Sequence, residues 1–197
     1  MNRLQAFKTE LDYIKNPKIK KFTEEALKKV PEYFFYVPAS STKRYHPPFS
    51  LGEGGVVRHT KVAVRIAVDI LSLEMMNKYS DDDKDIIICS LILHDCAKKG
   101  IPETKHSIAT HPLVMADFLQ KDKELCNILD SEILECILGC IRTHMGQFNK
   151  DYKNKKEILP KPKGTLQNIV HLADYLSSRK YFSEFDFDIV IPRERIY

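Results

Sequence analysis

Seven histidines occur in the chain: His46, His59, His94, His106, His111, His144 and His171. Taken singly, an imidazole is an ordinary core or surface group. The dipeptide His94-Asp95 is different, because it closes the run Ile86-Ile87-Ile88-Cys89-Ser90-Leu91-Ile92-Leu93. A carboxylate at the end of so apolar a segment is costly to bury unless a cation compensates it. A metal ion is such a cation. Neighbouring helical residues point about 100° apart, yet near a helix end both side chains can reach one ion or a pair of ions. The alternative is a capped, solvent-facing helix end with no ligand at all.

Further imidazoles and carboxylates fall near the ends of other apolar segments. His59 follows Gly54-Gly55, and His111 sits in the next helical segment after the His-Asp pair. His144 closes the segment Ile133 to Thr143 and precedes Gly146. Asp174 lies in Val170-His171-Leu172-Ala173-Asp174-Tyr175, otherwise apolar. Imidazole and carboxylate donors together suit a borderline or hard divalent metal such as Mn, Fe, Co, Ni or Zn. The five cysteines are not spaced to compete, and Cys136 and Cys140, four apart, read as core packing.

The elements that would position these groups are helical. Apolar spacing predicts helices over 2–15 and 18–30, interrupted at Asn16-Pro17 and ended at Pro31. Residues 31–55 carry four prolines and then Gly52, Gly54 and Gly55, the composition of a long ordered loop. A helix should run from Val56 to about Tyr79, and Ser80-Asp81-Asp82-Asp83 should cap another over 82–98. Its centre is apolar all round and should cross the core. Further helices are expected at about 106–121, 131–144 and 164–180. No strand alternates with helices, so the fold class is all-α, a helical bundle, and a parallel sheet is disfavoured.

The 197 residues suit one domain with a core of its own, with N-terminal helices over 1–30, a core region over 35–180 and a tail over 181–197. Hydrophobic content of 43% and charged content of 29% are those of a soluble globular protein. The longest apolar run falls far short of the roughly 20 residues of a membrane span. A polar N-terminus and cysteines without C-x-x-C pairing point to reduced thiols in the cytoplasm. A net charge of +4 is too small to suggest a long nucleic-acid partner. The lysines of 150–163 form a basic loop, either a solvated connection or a phosphate-attracting rim.

One family orders its residues in this way. The sequence Gly-Gly-x-x-x-His (54–59), Leu-His-Asp-x-x-Lys (93–98), His111, Thr-His-Met-Gly (143–146) and His-Leu-Ala-Asp-Tyr (171–175) resembles the HD-domain phosphohydrolase superfamily. It is particularly similar to the HD domain of bacterial 3′-to-5′ exoribonucleases and to small bacterial and phage HD hydrolases. The resemblance spans about residues 35–180. It implies a helical bundle holding one or two divalent ions (Mn, Fe, Co, Ni, Zn or Mg). By match, the first site would use His59, His94, Asp95 and Asp174. His111 and His144 would hold a second ion, with Asp95 as the bridge; His106 competes with His111 for that role. Such ion pairs lie about 3.5–4 Å apart and lower the pKa of a shared water, whose hydroxide attacks phosphorus. Asp95 and Lys98 would be catalytic, Lys98 by binding phosphate, whereas Lys99 reads as a solvated helix end.

The loop before His59 would border the substrate, making Lys43, Arg44, Tyr45 and His46 candidate contacts. Arg142 could meet an anionic substrate or a helix C-terminus. His171 is either a supporting residue for the metal ligands or a satisfied core histidine. The implied substrate is a phosphoester of a nucleotide or short oligonucleotide. The glycine-tyrosine-proline motif of cyclic-dinucleotide phosphodiesterases is absent, and no OB-like domain precedes the matched region, which argues against processive RNA degradation. Two other readings remain open: a metal-stabilised binding or regulatory module and, less favoured, a di-iron oxygenase. The tail, with Phe182, Phe185 and Phe187, could pack on its own bundle or cover a symmetry mate in a homo-oligomer.

Overall fold

The computed structural model describes residues 3–40 and 46–180. The tail, Lys43, Arg44 and Tyr45 lie outside the described residues, so their expected contacts remain expectations. Nine α-helices are present among the described residues: α1 (Arg3–Ala6), α2 (Lys8–Leu11), α3 (Pro17–Lys29), α4 (Gly55–Leu71), α5 (Asp81–Leu93), α6 (His111–Lys121), α7 (Lys123–Cys126), α8 (Ser131–Thr143) and α9 (Thr165–Ser177). The sole pairing of extended chain among them is an isolated bridge between Lys150 and Glu157. The all-α expectation holds. No described helix is long and apolar enough to cross a membrane.

Local chemistry sets the helix starts. Asn16 caps α3, its side chain accepting from the Lys18 and Ile19 N–H groups with Pro17 in the first turn. Ser80 and Asp83 form a reciprocal capping box that starts α5. Gly54 takes a left-handed φ of 68°. At Gly55 a Cβ would stand 2.1 Å from the Ser50 carbonyl, so only glycine lets the loop press against the start of α4.

Helix α5 is the axle of the bundle, packed by α3, α4, α8 and α9. Every residue from Asp85 to Leu93 is buried, and each large aliphatic side chain contributes about 1.5–3 kcal/mol by leaving water. Asp85 is tolerated there because its carboxylate accepts from the Lys15 and Asn16 N–H groups at 2.9 and 2.6 Å. Buried Glu10 accepts from Lys61 at 2.6 Å and Arg65 at 3.3 Å, tying α2 to α4.

Several boundaries differ from expectation. Helix α4 stops at Leu71, not near Tyr79: Ser72 bonds back to the Asp69 carbonyl and Leu73 turns extended. Leu73 and Met75, which continued the apolar pattern, are exposed. Helix α5 ends at Leu93, and the His-Asp pair begins a tight series of turns to Gly100. Helix α6 starts at His111 rather than 106, with Pro112 in its first turn. The four-residue α7 went unforeseen although Asp122 caps it. Cys140 is buried but Cys136 is exposed, contrary to core packing for both. At 100° per residue Cys136 lies roughly opposite Leu134, on the solvent side of α8.

Candidate metal centre

Five elements converge on one end of the bundle. The second turn of α4 contributes His59, and the end of α5 contributes His94 and Asp95. The start of α6 contributes His111, the end of α8 His144, and the body of α9 Asp174. His59, His94, Asp95, His111 and His144 are all at most 4% exposed. Three overlapping groups have ligand atoms within 4.8 Å of one another: His59, His94 and Asp95; His94, His144 and Asp174; and Asp95, His111 and His144. The structure therefore brings together all six residues expected as ligands.

The two oxygens of Asp95 face different imidazoles. Its Oδ1 lies 2.9 Å from His111 Nε2 and 3.8 Å from His144 Nε2. Its Oδ2 lies 3.7 Å from His59 Nε2 and 3.6 Å from His94 Nε2. Asp174 Oδ1 completes the second set, 2.9 Å from His59 Nε2 and 3.4 Å from His94 Nε2.

Each imidazole is held by its other nitrogen. The Nδ1 atoms of His94, His111 and His144 lie 2.6, 2.8 and 2.8 Å from the carbonyls of Leu91, Ile108 and Ile141. A carbonyl only accepts, so Nδ1 carries the proton in each. His59 Nδ1 meets Ser177 Oγ at 3.0 Å, and Ser177 spends its own proton on the Asp174 carbonyl at 2.7 Å. His59 therefore donates there too. All four rings turn Nε2 inward, the arrangement that outer hydrogen bonds impose on metal-binding histidines.

That convergence is unfavourable without a cation. The Nε2 atoms of His111 and His144 are 3.1 Å apart, and with both rings neutral and protonated at Nδ1 their two lone pairs face each other and repel. His94 Nε2 and Asp95 Oδ1 are buried with no hydrogen-bond partner, an arrangement costly for polar atoms. Four imidazole nitrogens and two carboxylates are thus a donor set that fits one or two divalent ions.

The protonation states point the same way. Burial alone would raise the Asp95 carboxyl, but Lys98, His94 and His111 outweigh it and hold the group well below the usual range. Burial of Asp174 is likewise outweighed by His59 and His94. Burial disfavours charge on His94, yet Asp95 and Asp174 raise its pKa by drawing a positive charge inward. His144 is pushed down to about 3 by burial and by His94 and His111. His46, edge-on to the His59 ring with centroids 5.0 Å apart, is pushed down to about 3 by burial and by His59 and Lys98.

The cluster opens into a cavity of about 750 Å³. Lys98 lines it with its ammonium on Asp95. His46 lines it as well, bearing on its expected substrate role. Lys150 and Lys155 of the basic loop also reach the cavity, whereas Lys161 pairs with Glu157 at 2.8 Å. His171 lines the wall and bonds through Nδ1 to the His144 carbonyl at 2.7 Å, bracing that ligand's backbone. His106 is exposed, so His111 alone fills the contested position. Arg142 is not brought to the cavity: its guanidinium engages Glu135 at 3.3 Å and Gln120 at 3.0 Å. Lys99 pairs with Glu103 and lies over the Tyr33 ring, partly buried in the turn after α5 and not a solvated helix end. Sequence reasoning did not anticipate the Ser177 contact or the aromatic side chains Phe148 and Tyr175 on the cavity wall. A serine one turn after a ligand carboxylate was the available signal for the first.

A helical bundle carrying a buried histidine-aspartate centre defines a class of metal-centre proteins. Within it, a family model for the HD domain matches residues 56–179, and the chain belongs to that family. No curated protein and no solved structure matches the chain. The family match begins at the start of α4 and ends just past α9, enclosing all six clustered residues. It does not single out the exoribonucleases among its members.

Proposed function

We propose that the protein is a metal-dependent phosphohydrolase acting on a phosphoester of a nucleotide or short oligonucleotide. The observation that carries this reading is the two-sided exposure of Asp95, one oxygen to His111 and His144 and the other to His59 and His94. His59, His94, Asp95 and Asp174 would hold one ion; Asp95, His111 and His144 would hold a second. Divalent ions in such a site supply a lowered pKa for bound water and stabilise charge on phosphoryl oxygens.

The chain's own residues supply the rest. The four Nδ1 hydrogen bonds fix the imidazoles before substrate arrives, which limits reorganisation during the reaction. Lys98 places a positive charge between Asp95 and the cavity, where a phosphoryl oxygen would lie. His46 is neutral near pH 7 because of its depressed pKa, so it can stand beside Lys98 without adding charge. Three cations lining the cavity, Lys150, Lys155 and Arg179, favour an anionic substrate.

The test is to strip the protein of metal and restore Mn²⁺, Fe²⁺, Co²⁺, Ni²⁺, Zn²⁺ or Mg²⁺ in turn. Each preparation is offered a dinucleotide and a mononucleotide, and the products are separated by chromatography. Metal-dependent cleavage of either supports the reading and distinguishes diesterase from monoesterase. Tight metal binding with no cleavage of any phosphoester overturns it and leaves the metal-stabilised binding module in its place.

A further inference from the structure

The wall of the cavity beside Asp174 carries an aromatic surface that metal chemistry does not require. Phe148 and Tyr175 lie nearly parallel, with ring centroids 6.1 Å apart and 15° between planes. Tyr175 immediately follows Asp174 on α9, so this surface abuts the metal cluster. The Arg179 guanidinium, one helical turn on, sits 4.1 Å from the Tyr175 ring centroid. Phe148 is 50% exposed. A single exposed phenylalanine needs no explanation. One that runs parallel to a second aromatic, beside a stacked guanidinium and inside a charged cavity, has the makings of a ring-binding surface.

The segment carrying Phe148 is held firmly. Gly146 has a φ of +54°, and a Cβ there would stand 2.3 Å from the His171 ring. Asn149 is fully buried and donates through Nδ2 to the Leu159 carbonyl at 3.0 Å. The Asn149 carbonyl accepts from the Ile158 and Leu159 N–H groups at 2.9 and 3.2 Å. Phe148 is thus fixed from both sides, with its ring turned to the cavity rather than to the core. Preorganisation of this kind lowers the entropy that binding must overcome.

The charges around the surface select the occupant further. Lys150, Lys155 and Arg179 line the same cavity, against one carboxylate outside the metal cluster, Asp151. Asp151 is turned to its own turn, accepting from the Lys153 and Asn154 N–H groups at 3.0 and 2.9 Å. The bound group is therefore flat, apolar on its faces and joined to an anion. Nucleobases attached to phosphate have that description, and proteins stack them on aromatic rings and arginine planes.

We infer that Phe148 and Tyr175, with Arg179, form a base-stacking platform that makes the cavity prefer nucleotides to phosphoesters lacking an aromatic base. This rests on the phosphohydrolase reading for the location of the phosphate, but not for the preference itself.

The test measures equilibrium binding of adenosine 5′-monophosphate and of ribose 5-phosphate to the Mn²⁺-loaded protein by calorimetry. Stacking on an aromatic side chain accounts for about 1–3 kcal/mol per base, or about 5- to 150-fold in affinity. The wild type should bind the nucleotide at least about tenfold more tightly. Phe148→Leu, a substitution at a half-exposed position, should cut that preference severalfold, and Phe148→Tyr should retain it. Equal affinities in the wild type, or an unchanged preference in a folded Phe148→Leu variant, overturn the platform. A nucleotide preference that falls in Phe148→Leu, in a protein with no hydrolytic activity, upholds the platform while refuting the phosphohydrolase reading.

Discussion

Ser177→Ala should weaken metal binding although Ser177 is not itself a proposed ligand. Its hydroxyl is 2% exposed, accepts from His59 Nδ1 at 3.0 Å and donates to the Asp174 carbonyl at 2.7 Å. Removing it leaves His59 Nδ1–H without a partner in a buried place, a loss of about 1–3 kcal/mol of stability. The proton can then move to Nε2, where Asp174 Oδ1 waits 2.9 Å away. With the proton held there, the His59–Asp174 hydrogen bond must be broken before an ion can bind, so the variant resists loading twice over. Loss of a supporting hydrogen bond of this kind lowers metal affinity by about 10- to 100-fold, equivalent to about 1.4–2.7 kcal/mol. Competition titration of Zn²⁺ or Mn²⁺ against a chromogenic chelator reads the affinity directly. Circular dichroism shows whether the variant is folded. If two ions bind, the weakened step should be the one served by His59, with the His111–His144 step close to wild type. A folded variant with affinity within twofold of wild type for both steps would refute the tautomer argument.

Two further predictions concern stability. His46 has its pKa depressed from 6.5 to about 3, chiefly by burial. Between those values the unfolded chain binds the proton and the native protein does not, so stability present above about pH 6.5 is lost as pH falls toward 3. His46→Asn should therefore flatten the decline of metal-free stability between pH 7 and pH 4, read from urea midpoints; an unchanged slope refutes the assignment. Gly146→Ala places a Cβ 2.3 Å from the His171 ring at a φ of +54°. It should cost about 1–3 kcal/mol in urea denaturation; a change under about 0.5 kcal/mol would show that the loop relaxes freely.

The six candidate ligands were legible because each stands at or near a helix end, or in an apolar stretch, where a polar group needs a reason. His94-Asp95 after Leu93 is the clearest case, and the order of the other ligands along the chain supplied the rest. His106 and His111 could not be separated by composition alone. Pro112 was an unused signal, since proline favours a first helical turn and places His111 at the mouth of α6. The end of α4 was overrun because Leu73 and Met75 extend the apolar rhythm while facing solvent. Arg142 was misplaced for a related reason: spacing puts it near His144 in sequence, but the helix turns its side chain toward Glu135 and Gln120. Phe148 and Tyr175 were illegible as a pair because the chain between them contains a hairpin-like turn, and only the folded loop sets their rings parallel.

In the proposed mechanism Asp95 joins two groups of imidazoles into a centre for phosphoester hydrolysis. The most direct test compares wild type and Asp95→Ala for cleavage of a dinucleotide at saturating Mn²⁺, with metal content measured in each. Losing the shared carboxylate would remove a ligand from both groups, so the rate should fall about a hundredfold or more together with lost metal. A folded Asp95→Ala variant that retains its metal and cleaves within tenfold of wild type would contradict it.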